Sequence, residues 1–315
     1  VESSPDVSVV IPTYNRLWSL PRAIDSCRNT RCKTEIIVVD DCSTDDSWNW
    51  LQTQSDVVSF RHSINWGQTW AINKGTDLAK GKYIKILGSD DFLAPGIIDA
   101  QFEIAEKENA DMVISRCDGY EEGSGKISIN PEAGPWDDFI SIQLGRSYGS
   151  HIIAMMFRTE LLRQVPHRPD YSLRDDRLVM LELGLLKPRI SYLPGCGAYW
   201  VHHGDQMQGN YHGMKAVVAN WQHLNIFKKI IGVLQIRNEL NPKRIEAVTG
   251  SLWTLAHWIA KTHPKEANEV VSWIYQLKSD FQIPNNGLQG MLFKSLGFKT
   301  TEKILRIRRQ LLARS

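Results

Sequence analysis

Over roughly its first hundred residues the chain alternates short β-branched runs with stretches of helical spacing, and each run stops at a polar cluster. Val7-Ser8-Val9-Val10-Ile11 stops at Pro12, Ile36-Ile37-Val38-Val39 at Asp40-Asp41, and Tyr83-Ile84-Lys85-Ile86-Leu87 at Gly88. Val57 to Phe60 is a further strand pattern. Between the runs, Leu17 to Cys27, Trp48 to Gln54 and Gln68 to Lys80 read as helices, with Ser43 or Thr44 able to cap the second. Continuous apolar strands are covered on both faces, so the alternation predicts a doubly wound α/β sheet. Ligands of such sheets bind beyond the carboxyl ends of the strands, which selects the segments after Ile11, Val39 and Leu87.

The next hundred residues are more mixed. Met112 to Ser115 and Ile152 to Phe157 have strand character, and Gly123-Ser124-Gly125-Lys126 reads as a hairpin tip. Beyond about residue 210 come long helical patterns, Met214 to Ile231, Pro242 to Thr262 and Pro264 to Leu277. Their Trp221, Trp253, Trp258 and Trp273 are expected in a core. The expected division is an α/β domain over 1–208, regular over 7–96 and more mixed over 97–208. A helical region over 209–315 follows.

A net charge of +2 on 315 residues gives no global argument for a nucleic-acid partner, and none is expected. The basic residues are uneven, however: Lys294 to Arg314 holds seven cations and one acid, Glu302. Interspersed with Leu296, Phe298, Ile304, Leu305, Leu311 and Leu312, this tail suits either a solvated helix or peripheral contact with an anionic membrane. Five scattered cysteines, Cys27, Cys32, Cys42, Cys117 and Cys196, form neither a disulfide framework nor a zinc pattern and point to a reducing compartment. No run approaches the ~18 to 20 apolar residues of a membrane span. Val1-Glu2-Ser3-Ser4-Pro5 has no signal-peptide character and no initiating Met. The expectation is a trimmed form or a segment of a longer protein, cytoplasmic or at the inner face of the membrane.

Carboxylate pairs at strand ends can hold a hard divalent cation, which takes one or two carboxylates plus substrate phosphates. Each pair alone is equally a solvated helix cap. Three polar strand ends in register, two of them with a carboxylate pair, are more telling, and they arrive in an ordered set. Val10-Ile11-Pro12-Thr13-Tyr14-Asn15-Arg16 is followed by Ile37-Val38-Val39-Asp40-Asp41-Cys42-Ser43-Thr44-Asp45, then Asn65-Trp66-Gly67 with Ala71-Ile72-Asn73-Lys74-Gly75. Ala79-Lys80-Gly81-Lys82-Tyr83-Ile84 and Gly88-Ser89-Asp90-Asp91 with Pro95-Gly96 complete it. In these residues the chain resembles the family 2 glycosyltransferases, strongly over 7–96 and more loosely to about 205.

The resemblance implies a GT-A fold, a doubly wound mixed sheet, and metal-dependent inverting transfer from a nucleotide-diphosphate sugar, UDP-linked, with Mn²⁺ or Mg²⁺ as cofactor. It places Pro12, Thr13, Asn15, Arg16, Asp41, Asn65, Gly67, Asn73, Ser89 and Asp90 at the donor, with Thr13 and Asp41 at the nucleoside. Asp90 and Asp91 match the metal-binding motif, although Gly88 stands where the family often has another acid. Arg174-Asp175-Asp176-Arg177-Leu178 matches an acidic pair at a helix start, making Asp176 the implied catalytic base. That role fits the chemistry, since an attacking hydroxyl must lose its proton; a carboxylate complementing the helix dipole is the alternative.

Tyr199-Trp200-Val201-His202-His203-Gly204-Asp205 resembles the family's aromatic-x-x-His segment, with His202 the better-spaced metal ligand and His203 beside it. Gln206 and Gln208 are placed at the same mouth, and Ser150-His151 borders the acceptor site or is buried. The acceptor class stays open between a glycan, a lipid-linked saccharide and a protein, in bacterial surface-glycan synthesis. Two other readings remain, a nucleotidyltransferase and a catalytically weakened nucleotide-sugar or carbohydrate-binding module. Pro12 to Arg16 offers no Gly-rich phosphate loop, against the first, and there is no G-x-G-x-x-G for a dinucleotide.

Overall fold

The computed structural model describes residues 4–145, 151–204, 206, 212–284 and 287–312. Two compact units are present, Val1–Asp137 with Ser147–Asn210, and Asp138–Arg146 with Tyr211–Ser315.

The first unit is built on one nine-stranded sheet. β1 (Val7–Thr13) is buried along its whole length and pairs in parallel with β2 (Thr34–Asp40) and β4 (Tyr83–Ile86); β2 pairs in parallel with β3 (Val57–Arg61). Helices α1 (Leu20–Asp25), α2 (Ser47–Leu51) and α3 (Gln68–Leu78) connect them. α3 lies so close to β1 that a Cβ at Gly75 would collide with the Val10 side chain. The registers Thr13↔Asp40 and Asp40↔Arg61 bring the strand ends level, so their loops share one edge.

β5 (Phe92–Leu93), α4 (Ile97–Glu108), β6 (Met112–Glu121), β7 (Ile127–Ser128), β8 (Met155–Arg158), α6 (Thr159–Leu162), α7 (Asp175–Leu185) and β9 (Ile190–His202) complete the unit; α5 (Phe139–Leu144) belongs to the other. The order β3-β2-β1-β4-β8-β6-β9-β5, with β7 on β6, makes the sheet mixed: β8 runs antiparallel to β4 and β6, and β6 parallel to β9. Glu121 N donates to Lys126 O across the anticipated Gly123–Lys126 hairpin.

Three elements depart from the sequence pattern. Ile152–Ala154 is a 3₁₀ turn, and only from Met155 does the apolar run become a strand, because the His151 side chain caps the turn at Ile153 N. α1 starts at Leu20, after a turn closed by Ser19 and Leu20 N–H onto Arg16 O, with Pro21 in its first turn. β9 runs for thirteen residues through Pro194, Gly195 and Gly197, residues that break any strand signal in a sequence; Gly195 has φ +98°.

Inside the sheet's core, Lys85 is fully buried and donates to Gln101 Oε1 (2.5 Å) and Met155 O (3.1 Å). The Gln101 amide donates onward to Ser115 Oγ and Ala154 O, so every polar atom of this bridge is used. Burial pulls the Lys85 pKa down to about 7. The amine thus ties β4, which leads into the acidic turn, to the 151–155 segment.

The second unit is helical: α5, α8 (Gly213–Ile236), α9 (Pro242–Ala260), α10 (Pro264–Leu277) and α11 (Gly287–Leu312). Pro242 and Pro264 sit in first turns, and the Asn241 side chain caps α9 by accepting from Arg244 N. Asp138, at the start of α5, accepts from Arg244 and Asn241, joining α5 to α9. Of the four helical tryptophans only Trp253 is fully buried, ringed by His257, Phe281, Phe293 and Phe298; Trp258 is exposed. Among the described residues, no helix is long and apolar enough to cross a membrane.

Candidate active site

The β1 and β2 ends are stitched together before any ligand is considered. Asn15 adopts the left-handed region (φ 52°), and its Oδ1 accepts from Thr44 N (2.7 Å) and Asp45 N (3.3 Å), while its own N–H donates to Ser43 Oγ (2.9 Å). Its side chain is therefore a staple between the two loops. Thr13 O accepts from Asp41 N (2.8 Å), which sets Asp41 at the mouth of β2. The buried Asp41 carboxylate accepts from Trp66 N (3.0 Å) and Gly67 N (2.6 Å) and lies 2.8 Å from His62 Nδ1. The 65–67 loop is thereby pinned over the strand end, with the Asn65 side chain exposed. Pro12 and Thr13 are buried, and Thr13 Oγ1 has no protein partner.

The acidic turn follows β4. Asp91 is buried, and its Oδ1 accepts from Val201 N of β9 (2.9 Å). Burial, then the charge of Asp90, hold the Asp91 pKa well above the usual carboxylate range. Asp90 is more open. Its Oδ2 lies 3.1 Å from His203 Nε2 and 3.6 Å from Arg16 Nε. Ser19 Oγ donates to Ser89 O (2.8 Å), fastening the turn to the segment before α1. The Trp18 indole meets His203 edge-on, with ring centroids 5.0 Å apart.

Gly88 is explained by contact. A Cβ there would lie 2.5 Å from Asp91 Oδ2 and 3.0 Å from Asp90 Oδ1, so the missing side chain makes room for both carboxylates. Gly88→Ala is expected to push the Asp91 carboxylate off Val201 N. The cost should be roughly 1–3 kcal/mol, as for overpacking a filled site. Equilibrium urea unfolding measures it; an unchanged midpoint would show that the turn relaxes freely.

The two adjacent histidines have different surroundings. His202, the better-spaced candidate in the sequence, is the last residue of β9, and its ring lies against Trp200 (4.6 Å) and close to Gly119. His203 reaches Asp90 instead. Neighbouring residues at a strand end point to opposite faces, so one of the two had to turn away. Gln206 donates to Val201 O (2.5 Å), while Ser150, Asp205 and Gln208 lie outside the described residues.

Asp176 opens α7 beside Asp175, whose Oδ2 is 2.6 Å from the Nδ1 of the buried His167. The Asn73 amide clamps the backbone of that histidine, donating to His167 O (2.8 Å) and accepting from His167 N (2.9 Å). Asn73, expected at the donor, is thus committed to the loop before α7. Burial first, then the Asp175 charge, raise the Asp176 pKa, with His151 and His167 opposing. His151 stacks on Trp200 (5.6 Å, 24°), and burial depresses its pKa while the charges of Asp176 and Asp90 raise it. Asp176 also raises the proton affinity of Asp91. Asp90, Asp91, His151 and Asp176 therefore share one electrostatic neighbourhood, drawn from β4, the 151–154 turn and α7.

His167, Asp175 and Asp176 place ligand atoms within 4.8 Å of one another, whereas the metal set expected from sequence was Asp90, Asp91 and His202. In the buried trio the His167–Asp175 bond already occupies the nearest ligand atoms. No local motif marks His167; its Asn73 partner comes from distant sequence, so only the fold reveals it.

Solved structures and curated sequences resemble this chain in fold and in part of its sequence. The solved structure of S. aureus TarS 1-349 in complex with UDP-GlcNAc superposes with a TM-score of 0.56 at 16% identity, over 86% of this chain and 88% of that one. The mannosyltransferase PcManGT of Pyrobaculum calidifontis, in complex with GDP-Man and Mn²⁺, gives 0.51 at 15% identity, over 97% and 88%. These likenesses show the fold, the GT-A arrangement. In sequence, the GalNAc(5)-diNAcBac-PP-undecaprenol beta-1,3-glucosyltransferase of Campylobacter jejuni is 34% identical over 126 residues, 38% of this chain and 40% of that protein. The chain spans about two fifths of the length of the curated relatives it first matches. The sequence model of glycosyl transferase family 2 matches residues 8–165, half of the chain, and the chain belongs to that family.

Proposed function

We propose that the chain transfers a sugar from a UDP-linked donor to an acceptor hydroxyl with inversion at the anomeric carbon. The observation that carries this reading is the shared neighbourhood of the Asp90-Asp91 turn and Asp176. One acidic group sits where a diphosphate leaves, and a second carboxylate of raised pKa sits where a hydroxyl arrives. The catalytic domain is taken as 1–208, with the donor in the 7–96 half and the acceptor in the 97–208 half.

Asp41 and Thr13 take the nucleoside. Asp41 accepts two backbone N–H groups and lies beside His62, yet a carboxylate has about four lone-pair sites, enough for one more donor from a uracil ring. The unpartnered Thr13 Oγ1 supplies a second contact. Pro12, Asn65 and Gly67 shape the base pocket, Arg16 and Ser89 border the diphosphate, and Asn15 holds the loops in place. Asp176 takes the acceptor's proton.

Asp90 and Asp91 fit a divalent cation. The turn gathers two carboxylates, burial and then the charge of Asp90 raise the Asp91 pKa, and Gly88 leaves both side chains unobstructed. Mn²⁺ or Mg²⁺ held there would neutralise charge on the departing diphosphate. His203 orients Asp90, a partner of the kind whose loss costs about 10–100-fold in metal affinity. The PcManGT complex contains Mn²⁺, which supports the metal, and the TarS complex contains UDP-GlcNAc, which supports uridine. The Campylobacter relative's name specifies an undecaprenol-linked acceptor, which supports a lipid-linked saccharide as the acceptor class.

Calorimetric titration of UDP with Mn²⁺ present tests the site. His203→Ala should weaken Mn²⁺-dependent binding by about 10–100-fold, and His202→Ala should leave it near wild type. The reverse order would return the role to His202. Absence of UDP binding, or tighter binding of GDP, would overturn the uridine assignment.

A further inference from the structure

We infer that the outer face of α11 docks the protein on an anionic lipid surface. The helix breaks at Gly297 (φ 72°), and its second segment shows a two-sided pattern. Phe298, Thr301 and Glu302 are buried: Phe298 packs on Trp253 and Phe293, Thr301 Oγ1 donates to Leu292 O (3.0 Å), and Glu302 accepts from His257 (2.6 Å). With 3.6 residues per turn, Ile304 and Ile307 then project from the opposite side, and both are exposed. Lys299, Lys303 and Arg306 flank them on one side and Arg308 on the other, all exposed. Before the break, Leu288, Met291 and Leu296 are exposed beside Lys294.

Charge decides the occupant. Between residues 287 and 308 the only acid is Glu302, which is buried against His257, so the exposed side carries cations and no anion. A solvated helix face is normally mixed in sign. A cationic face with isolated large aliphatics matches an anionic headgroup layer with acyl chains beneath, where each basic residue adds attraction and each aliphatic adds burial. A nucleic acid would use the cations and leave Leu288, Met291, Ile304 and Ile307 in water, so lipid accounts for more of the surface. Because no helix among the described residues can span a bilayer, the contact is peripheral. The inference does not depend on the proposed transfer reaction.

Co-sedimentation of the full chain with phosphatidylcholine vesicles, with and without about one third phosphatidylglycerol, tests it. Binding is expected to the anionic vesicles alone and to fall as salt rises. Lys299→Glu/Lys303→Glu/Arg306→Glu should reduce it by on the order of a hundredfold, at roughly fivefold per basic residue lost. Ile304→Ser/Ile307→Ser should weaken it with the net charge unchanged. All these side chains are exposed, so unchanged circular dichroism and thermal midpoint confirm that the variants fold. Equal binding to neutral vesicles, no binding to anionic ones, or binding indifferent to the triple reversal would each overturn the inference. Retention of an RNA oligonucleotide without vesicle binding would also do so.

Discussion

Asp176→Asn is expected to lower turnover by about 10²–10⁴-fold, the range of a lost general base, while UDP still binds near the wild-type affinity. The substitution keeps the shape of the side chain at the start of α7 and removes only its capacity to take a proton. The pH dependence carries more information. Asp176 must be ionised to act, and burial with the Asp175 charge raises its pKa, so the acid limb of kcat/KM should lie above the usual carboxylate range. Asp175→Asn removes a like charge and should move that limb to lower pH. His167→Gln removes an opposing influence and should move it to higher pH. Retained turnover in Asp176→Asn, or a limb indifferent to both neighbours, would remove Asp176 from the base role.

Asp41→Ala has the second large expected effect, and it is a loss of both stability and donor binding. The carboxylate is 3% exposed and accepts two backbone N–H groups from the 65–67 loop. Hydrogen bonds to a charged group are worth about 1.5–3 kcal/mol each, so truncation should cost roughly 3 kcal/mol or more. In a unit of this size the thermal midpoint should fall by roughly 6–12 °C. Asp41→Asn should recover only part, because its amide nitrogen faces an N–H donor where an oxygen had been. A midpoint within error of wild type in Asp41→Ala would show that the loop is held by other contacts.

Much of the first unit was legible because burial on both faces leaves β1 and β2 almost uninterrupted apolar runs, with polar clusters where they end. The second half of the sheet was harder. An apolar run such as Ile152 to Phe157 has no period to separate a 3₁₀ turn from a strand, and the turn is decided by the His151 cap. β9 hides behind Pro194, Gly195 and Gly197, whose effect on a strand depends on its partner β6. At the candidate site, Asp41, Asp90, Asp91 and Asp176 all stand in local motifs at strand or helix ends. Spacing favoured His202 of the two adjacent histidines, and only the end of β9 shows that His203 is the one beside Asp90. The Asn73–His167–Asp175 chain joins residues about a hundred positions apart and leaves no local pattern. Gly88 looked like a missing acid until the Asp91 and Asp90 oxygens were seen to fill the space its side chain would take.

In the proposed reaction the acidic turn and Asp176 form one metal-dependent transfer site for a uridine-diphosphate sugar. Release of nucleotide diphosphate from a panel of UDP- and GDP-sugars, with Mn²⁺ and again with a chelator, tests it most directly. Release is expected from at least one UDP-sugar, lost with the chelator and lost in Asp90→Asn/Asp91→Asn. Release that survives the chelator and that double substitution, or release from no UDP-sugar while UDP itself binds, would contradict it.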